Sequence, residues 1–269
     1  MLNSVKSIAR KFIPESYKTT LWDNYQRYRR LNKDIGQEIK AISRGFRYMG
    51  NQVICPCCNG KFSEFLPYGN NRPNALCPRC SSLERHRLLW LYFQEKTNLF
   101  ASPLKILHIA PEKFFQKKLK SLPNLDYLST DLEAEWAMEK MDITNIKYVD
   151  NTFDVILCNH VLEHIPDDRK AMKELLRVLK PNGWAILQVP LEPNLDKTFE
   201  DPSITSPEDR KRVFGQKDHV RLYGKDYKNR LEEAEFDVVV DNFVKELNEE
   251  TVNRYGLRRD HNIYFCSKK

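Results

Sequence analysis

The sequence is poor in glycine and lacks the long apolar runs of membrane proteins. It has 9 glycines in 269 residues, and none lies in the turn that follows the apolar stretch ILHIA, residues 106–110. No run approaches the roughly 18 apolar residues that a membrane-spanning helix requires. The N-terminus has neither the apolar segment nor the cleavage site of a secretory signal. We therefore expect a soluble, cytoplasmic protein without a glycine-rich nucleotide-binding turn after this first strand.

The excess of positive charge is confined to the first 50 residues. The net charge is +7; residues 1–50 contain 11 Lys and Arg against 4 Asp and Glu, whereas residues 51–269 contain 33 of each. Packing on the same protein or on a second copy is the favoured role for this segment, and binding of residues 1–45 to an anionic membrane, or to nucleic acid, is the alternative. Its apolar residues recur at the spacing of an amphipathic helix: Tyr17, Leu21, Tyr25, Tyr28, Leu31, Ile35, Ile39 and Ile42.

Four of the seven cysteines form the pattern C-x2-C-x18-C-x2-C: Cys55, Cys58, Cys77 and Cys80. This spacing suits tetrahedral Zn²⁺, and four thiolates leave no open position for substrate or water. Cys57 is predicted to lie outside the site, because including it would break the two-residue spacing. Disulfides are the alternative, which a reducing cytosol disfavours. We predict a structural zinc that holds a small module, residues 51–100.

The stretch SSLERHRLLWLYFQEKTNLF, residues 81–100, has helical spacing. Its first residues, Glu84, Arg85, His86 and Arg87, are either a basic contact surface or the solvated start of the helix. The solvated start is the favoured interpretation.

From Leu104 onward, predicted strands and helices alternate. The strands are ILHIA, LDYLSTDL, a third near MDIT and IKYV, FDVILCNHVL and WAILQVPL. The helices are FFQKKLKSL and DDRKAMKELLRVLKPNG, the latter with an Asp cap and an Asn-Gly end. Another helix and two strands follow near the C-terminus. This order predicts an α/β doubly wound sheet with right-handed crossovers between parallel strands.

The stretch FDVILCNHVLEHIPDDRKAMKELLRVLKPNGWAILQVP, residues 153–190, resembles the fourth strand, the following helix and the fifth strand of class I S-adenosylmethionine-dependent methyltransferases of the type 11-like group. HVRLYGKDYKNRLEEAEF, residues 219–236, resembles the run into that family's last strands. The resemblance implies a methyltransferase domain over residues 101–269. It also implies a seven-stranded Rossmann-like sheet with an antiparallel final strand and S-adenosylmethionine at the carboxyl ends of the first strands.

S-adenosylmethionine carries no phosphate, so its site needs a glycine-rich turn less than a pyrophosphate site does. Asp131 ends the second strand about twenty residues after the first turn, a position typical of the acid that binds the ribose hydroxyls, and Leu132 adjoins it. The resemblance implies that Asp142 and Ile143 hold the adenine.

The resemblance also implies that Asn159 and His160 face the methionine portion of the cofactor. The first motif departs from the acidic, glycine-rich pattern of the family, because His108, Ala110 and Glu112 stand there. Glu112 is predicted either to replace the missing acidic residue or to cap the next helix. We interpret the turn as a divergent cofactor site.

Methyl transfer requires alignment and, for some acceptors, a general base. Glu163, His164 and His219 are the candidates, with Asp218 beside His219 as a further one, and a structural role is the alternative for both histidines. Residues 192–223 form a connection too long for an ordinary loop, which predicts contact with the acceptor. Its polar residues, among them Arg221, favour a hydroxyl-rich or charged small acceptor. The combination of a zinc knuckle and a basic front helix resembles bacterial surface-polysaccharide methyltransferases, and this resemblance implies a sugar or glycan precursor.

Two other functions remain open at the level of sequence. An RNA methyltransferase could use the zinc module and the basic N-terminus, but residues 51–269 carry no net positive charge for gripping phosphates. Alternatively, the chain is a non-catalytic interaction protein that retains the sheet of the family but whose first motif, the turn after ILHIA, has diverged.

Overall fold

The computed structural model describes residues 15–69, 72–133 and 135–268, so the first 14 residues of the basic segment lie outside the described part. The chain forms two compact units, Met1–Ser81 and Ser82–Lys269. Within the described residues, no helix combines the length and apolarity needed to cross a bilayer.

The first unit contains a long helix and two small hairpins. Helix α1 spans Glu15–Arg47, which confirms the helix predicted from the apolar spacing. Strands β1 (Met49–Cys55) and β2 (Gly60–Phe62) form one antiparallel hairpin, and β3 (Leu66–Tyr68) and β4 (Arg72–Leu76) form the other. The apolar side chains described on the predicted face of α1 are exposed, namely Tyr25, Tyr28, Ile35, Ile39 and Ile42. The side chains of Tyr17, Leu21 and Leu31 lie outside the described part, and the partner of this face stays a prediction.

The second unit is built on a sheet of seven described strands in the order β12-β13-β9-β8-β5-β6-β7. Strand β13 is antiparallel to both of its neighbours, and the other strands run parallel to one another. This arrangement confirms the doubly wound, Rossmann-like sheet with an antiparallel final strand. The strands of the sheet are β5 (Leu104–Ile109), β6 (Leu125–Asp131), β7 (Glu139–Lys140), β8 (Phe153–Asn159), β9 (Leu179–Gln188), β12 (Asp237–Asp241) and β13 (Ile263–Ser267). Two further strands, β10 (Phe199–Glu200) and β11 (Arg221–Leu222), pair with each other in a separate two-stranded sheet.

Helices and two short 3₁₀ turns connect these strands. The central strands β5 and β8 are buried along almost their whole length, as expected for parallel strands in the middle of a sheet. The predicted Asp cap is confirmed, because the Asp167 carboxylate accepts a hydrogen bond from the Lys170 N–H at the start of the helix Asp168–Val178. The helices are α2 (Glu84–Lys96), α3 (Lys113–Leu119), α4 (Asp168–Val178), α5 (Pro207–Phe214), α6 (Tyr227–Glu233) and α7 (Glu249–Arg254), and the 3₁₀ turns are Leu162–His164 and Phe243–Lys245.

Two predicted boundaries were wrong. The third strand, β7, has two residues and precedes MDIT, whereas IKYV forms no strand. The carbonyls of Ile146 and Tyr148 instead accept hydrogen bonds of 2.8 Å from the Arg177 guanidinium, so a side chain satisfies the backbone there. Helix α4 ends at Val178 and β9 begins at Leu179, upstream of the Asn-Gly pair that was predicted to end the helix.

The interpretation of the start of α2 as a solvated face was also wrong. Arg87 is fully buried, and its guanidinium donates to the carbonyls of Ser82, Tyr255 and Gly256 at 3.0, 2.6 and 2.8 Å. His86 is buried beside it. A charged side chain can be buried when backbone acceptors replace its water, and no charge pattern in a single helix reveals such distant acceptors.

Candidate cofactor site and cysteine cluster

The sulfurs of Cys55, Cys58, Cys77 and Cys80 converge, and all lie within 4.8 Å of one another. The Cys55–Cys80 and Cys58–Cys77 separations are 3.6 and 3.8 Å. Zinc–sulfur bonds of about 2.3 Å in a tetrahedron put the sulfurs about 3.8 Å apart, whereas a disulfide requires about 2.05 Å. None of the seven cysteines forms a disulfide, and the Cys57 sulfur is not part of the cluster. The donor set therefore fits a structural zinc.

Two similar turns present these sulfurs. The N–H of Asn59 donates to the Cys55 carbonyl at 2.8 Å, and the N–H of Ser81 donates to the Cys77 carbonyl at 3.0 Å. Asn59 and Ser81 both adopt left-handed conformations, with φ of 55° and 59°. The Cys80 N–H also points at the Cys77 sulfur, at 3.5 Å. Each C-x2-C pair thus folds into a knuckle that aims two sulfurs inward.

In the second unit, two neighbouring strands end in the same unusual way. Ala110 follows β5 with φ of 44°, and His160 follows β8 with φ of 55°. The Ala110 N–H donates to the Thr130 carbonyl, and the His160 N–H donates to the Gln188 carbonyl, each at 2.7 Å. Non-glycine residues rarely adopt this region and often do so at functional sites. The chain therefore turns sharply on both sides of the β5–β8 boundary, where the strand order reverses and such folds bind ligands.

The first turn is held by buried polar groups instead of glycines. His108 is fully buried; its Nδ1 lies 2.9 Å from the Tyr127 hydroxyl, and its Nε2 lies 2.9 Å from Glu112 Oε2. Burial opposes ionisation of Glu112, but the hydrogen bond and charge interaction with His108 lower the pKa of Glu112 to about 2. Glu112 precedes α3, yet its side chain makes no capping hydrogen bond. It binds the His108 ring, so the capping alternative is wrong.

His86, from α2, approaches the same carboxylate. Its Nε2 lies 3.7 Å from Glu112 Oε1, and the Leu83 N–H donates to its Nδ1 at 3.2 Å. Burial lowers the pKa of His86 to about 3, so this imidazole is neutral near pH 7. Sequence reasoning missed His86, because its approach to Glu112 depends on how α2 packs in this unit.

The two predicted nucleoside acids lie at neighbouring strand ends. Asp131 ends β6, and its backbone carbonyl accepts from the N–H of Met141, next to Asp142. Each aspartate carboxylate accepts a hydrogen bond of 2.8 Å from the backbone N–H two residues further on. Leu132 is exposed and Ile143 is buried. The structure brings these four residues to one edge of the sheet, and their binding of ribose and adenine stays a prediction.

Asn159 is the most informative residue at this edge. Its side chain is only 5% exposed, and in the described part of the chain neither its amide oxygen nor its amide nitrogen has a hydrogen-bond partner. Leaving a buried polar group unsatisfied costs about 1–3 kcal/mol. The methionine portion of S-adenosylmethionine offers an ammonium donor and a carboxylate acceptor, which match an amide. The residues present therefore fit that cofactor.

The three candidate catalytic residues come together although the sequence separates them. Ligand atoms of Glu163, His164 and His219 lie within 4.8 Å of one another. The two imidazole rings meet edge to face, with centroids 4.7 Å apart. The Val220 N–H donates to the Glu163 carbonyl at 2.9 Å and fixes the two segments together. Burial lowers the pKa of His219 and favours its neutral form.

The Arg221 side chain is turned inward. It is buried, and its guanidinium donates to the carbonyls of Leu162 and Pro166 at 2.7 and 2.8 Å and to Glu200 at 3.0 Å. Nearby, Asp168 accepts from the Tyr223 hydroxyl at 2.6 Å. These bonds attach the 192–223 segment to the turn after β8, so Arg221 positions the catalytic candidates.

The strand order and the antiparallel final strand define the fold of class I methyltransferases. Residues 113–187 match the family model of a methyltransferase domain. The matched range includes Asp131, Asp142 and Asn159. It starts after the divergent first turn and ends before the 192–223 segment.

Two curated relatives resemble part of the chain. A demethylmenaquinone methyltransferase of Lactobacillus johnsonii is 30% identical over 69 residues, covering 26% of this chain and 28% of the relative. Norajmaline N-methyltransferase of Rauvolfia serpentina is 30% identical over 69 residues, covering 26% and 24%. The chain thus spans about a quarter of the length of these relatives. Among solved structures, Haemonchus contortus phosphoethanolamine N-methyltransferase 2 in complex with S-adenosyl-L-methionine is 15% identical, with a TM-score of 0.44 over 64% of this chain and 50% of that chain.

Proposed function

We propose that this chain is an S-adenosylmethionine-dependent methyltransferase that acts on a small polar acceptor. The observation that carries the proposal is the buried amide of Asn159 at the β5–β8 switch point, which has no hydrogen-bond partner among the described residues. The cofactor would supply a methyl group activated by its sulfonium. Asp131 and Leu132 would hold the ribose.

The rest of the cofactor would extend along the same edge. Asp142 and Ile143 would hold the adenine, and Asn159 and His160 would hold the methionine portion. His108 and Glu112 would stabilise the first turn, because the hydrogen bond between their side chains fixes the backbone around Ala110. This shape would align the methyl group with the acceptor, and alignment supplies much of the rate of such a displacement.

The acceptor would enter from the side of residues 192–223. Glu163, His164 and His219 lie there together, and a neutral, buried His219 is suited either to accept a proton or to bind a cation. The polar residues of this segment support a sugar or glycan precursor as acceptor. The relatives named above carry other acceptors in their names, demethylmenaquinone and norajmaline, so they lend no support to a sugar.

The cysteine cluster would bind Zn²⁺ as a structural ion. The support is the convergence of four sulfurs at tetrahedral spacing. Its four protein ligands would leave no position for substrate, so the metal would stabilise the hairpins around it and take no part in chemistry.

The proposal is tested by incubating the purified chain with S-adenosylmethionine labelled in the methyl group and with fractionated metabolite extract. Transfer of label to a small polar molecule is the expected result. Transfer to RNA would instead support the alternative substrate. Binding of the cofactor with no transfer to any fraction would favour a non-catalytic interaction protein.

A further inference from the structure

Glu163, His164 and His219 offer the donor set of a metal site. One carboxylate oxygen and two imidazole nitrogens, one from each residue, lie within 4.8 Å of one another. Two histidines and one carboxylate are ligands that divalent iron, zinc and manganese share. His219 reaches the other two because the Val220 N–H bonds to the Glu163 carbonyl.

The burial of the Glu163 carboxylate is a second, independent observation that favours a bound cation. The residue is only 1% exposed, and its Oε2 has no hydrogen-bond partner among the described residues. Its Oε1 lies 3.5 Å from His160 Nδ1. A buried carboxylate is costly unless a partner compensates for its lost water. A divalent cation between Glu163 and the two histidines would supply that partner.

The surroundings suit a site with open positions. The Asp218 carboxylate lies 3.3 Å from His164 Nδ1, the kind of outer contact that orients a metal-binding histidine. The His164 side chain is 32% exposed, so the cluster is accessible from solvent. Three protein ligands leave room for an exogenous oxygen, which is typical of catalytic metal sites.

We propose that Glu163, His164 and His219 bind a divalent first-row transition metal. If the proposed methyltransferase function also holds, the metal would bind the hydroxyl oxygen of the acceptor and lower its pKa, so that the proton leaves to solvent. The oxygen would then bond to the methyl carbon as the carbon–sulfur bond breaks and the sulfonium becomes a thioether. The acceptor class would be a hydroxyl compound that coordinates metal.

The experiment uses the full chain with its cysteine cluster loaded with zinc, and titrates it with Co²⁺ alone. Cobalt held by nitrogen and oxygen absorbs weakly in the visible, without the strong near-ultraviolet band of cobalt bound to thiolates. We expect one Co²⁺ per chain with the weak spectrum. His164→Ala and His219→Ala should weaken binding by roughly 100-fold or more, and Asp218→Asn by roughly 10-fold. His261→Ala is the matched control and should bind normally.

His164→Ala keeps the test decisive, because this side chain is partly exposed and its removal should leave the fold intact. The proposal is overturned if the zinc-loaded chain shows no cobalt spectrum, or if folded His164→Ala binds cobalt as the parent does. Cofactor titration calorimetry on the same samples separates the two proposals. Cobalt binding without cofactor binding would support the metal site and contradict the methyltransferase function. Cofactor binding without cobalt binding would support the methyltransferase function and contradict the metal site.

Discussion

The cysteine cluster and the carboxyl edge of the sheet both bring together side chains that could bind a ligand, but the two sites are supported differently. The four sulfurs are presented by short hairpins with little core of their own. At the sheet edge, by contrast, Asn159 and Glu163 project from a fully formed core, and Arg221 and His108 brace the turns around them. We therefore expect the first site to need its metal in order to fold, and the second to fold first and bind its ligand afterwards.

The largest effect is expected when one cysteine of the cluster is replaced. Cys77→Ser should abolish zinc binding and unfold the hairpins between residues 49 and 81. In a module of this size, the free energy of metal binding supplies much of the free energy of folding. Metal analysis and limited proteolysis measure both effects. Cys57→Ser is the matched control and should keep one zinc per chain. Equal metal content in the two variants would show that the cluster is not the zinc site.

The bracing of the sheet edge is tested by Arg221→Ala. Removing the buried guanidinium takes away the donor to the Pro166 carbonyl. It also takes away one donor to the Leu162 carbonyl and one to the Glu200 carboxylate, which accept from Tyr223 and Arg230 as well. We expect a loss of about 3–5 kcal/mol in the free energy of unfolding, measured by denaturant titration. The exposed Arg212→Ala should cost little. If Arg221→Ala is as stable as the parent but has reduced turnover, Arg221 contacts the acceptor directly and does not brace the sheet edge.

The polar support of the first turn predicts a pH dependence. The pKa of Glu112 is about 2 in the folded chain and ordinarily 4.5, so ionised Glu112 stabilises the fold above pH 4.5. That contribution is lost as the pH falls towards 2. The stability difference between the parent and Glu112→Gln should therefore shrink by about 2 kcal/mol between pH 6 and pH 3. Glu208→Gln serves as the control, and a difference that does not change with pH contradicts this assignment.

The smallest effect has an unusual sign. Asn159→Leu replaces an unpartnered buried amide with an apolar group of similar shape, so the chain without cofactor should gain about 1 kcal/mol of stability. The same change should weaken cofactor binding, because the Asn159 amide is the proposed partner of the methionine portion. Thermal unfolding and calorimetry measure the two effects. A destabilised Asn159→Leu that binds cofactor normally would mean that the amide has a structural partner.

The sequence was sufficient for the features that depend on local spacing. The C-x2-C pairs predicted which four sulfurs converge, because both knuckles are short-range turns. The central strands follow from their apolar runs. The features that the sequence missed depend on contacts between distant segments. The burial of Arg87 and the turn inward of Arg221 both require carbonyls from elsewhere in the second unit. The carboxylate of Glu112 likewise meets His86 only after folding.

The candidate site was predictable to the same extent. Asp131 and Asn159 follow apolar strands, so their place at the carboxyl edge could be expected. The convergence of His219 on Glu163 could not, because 55 residues and an irregular segment separate them along the chain. The left-handed backbone at Ala110 was also hidden, since alanine gives no sign of a turn that glycine usually occupies.

Calorimetric titration with S-adenosylmethionine tests the central claim most directly. The parent chain should bind one equivalent, and Asp131→Ala should bind roughly 30- to 1000-fold more weakly, because it loses charge-assisted hydrogen bonds worth about 2–4 kcal/mol. Asp126→Ala, an exposed aspartate on the same strand, should bind like the parent. Absence of binding by the folded parent, or equal affinity in the two aspartate variants, would contradict the assignment of this edge as the cofactor site.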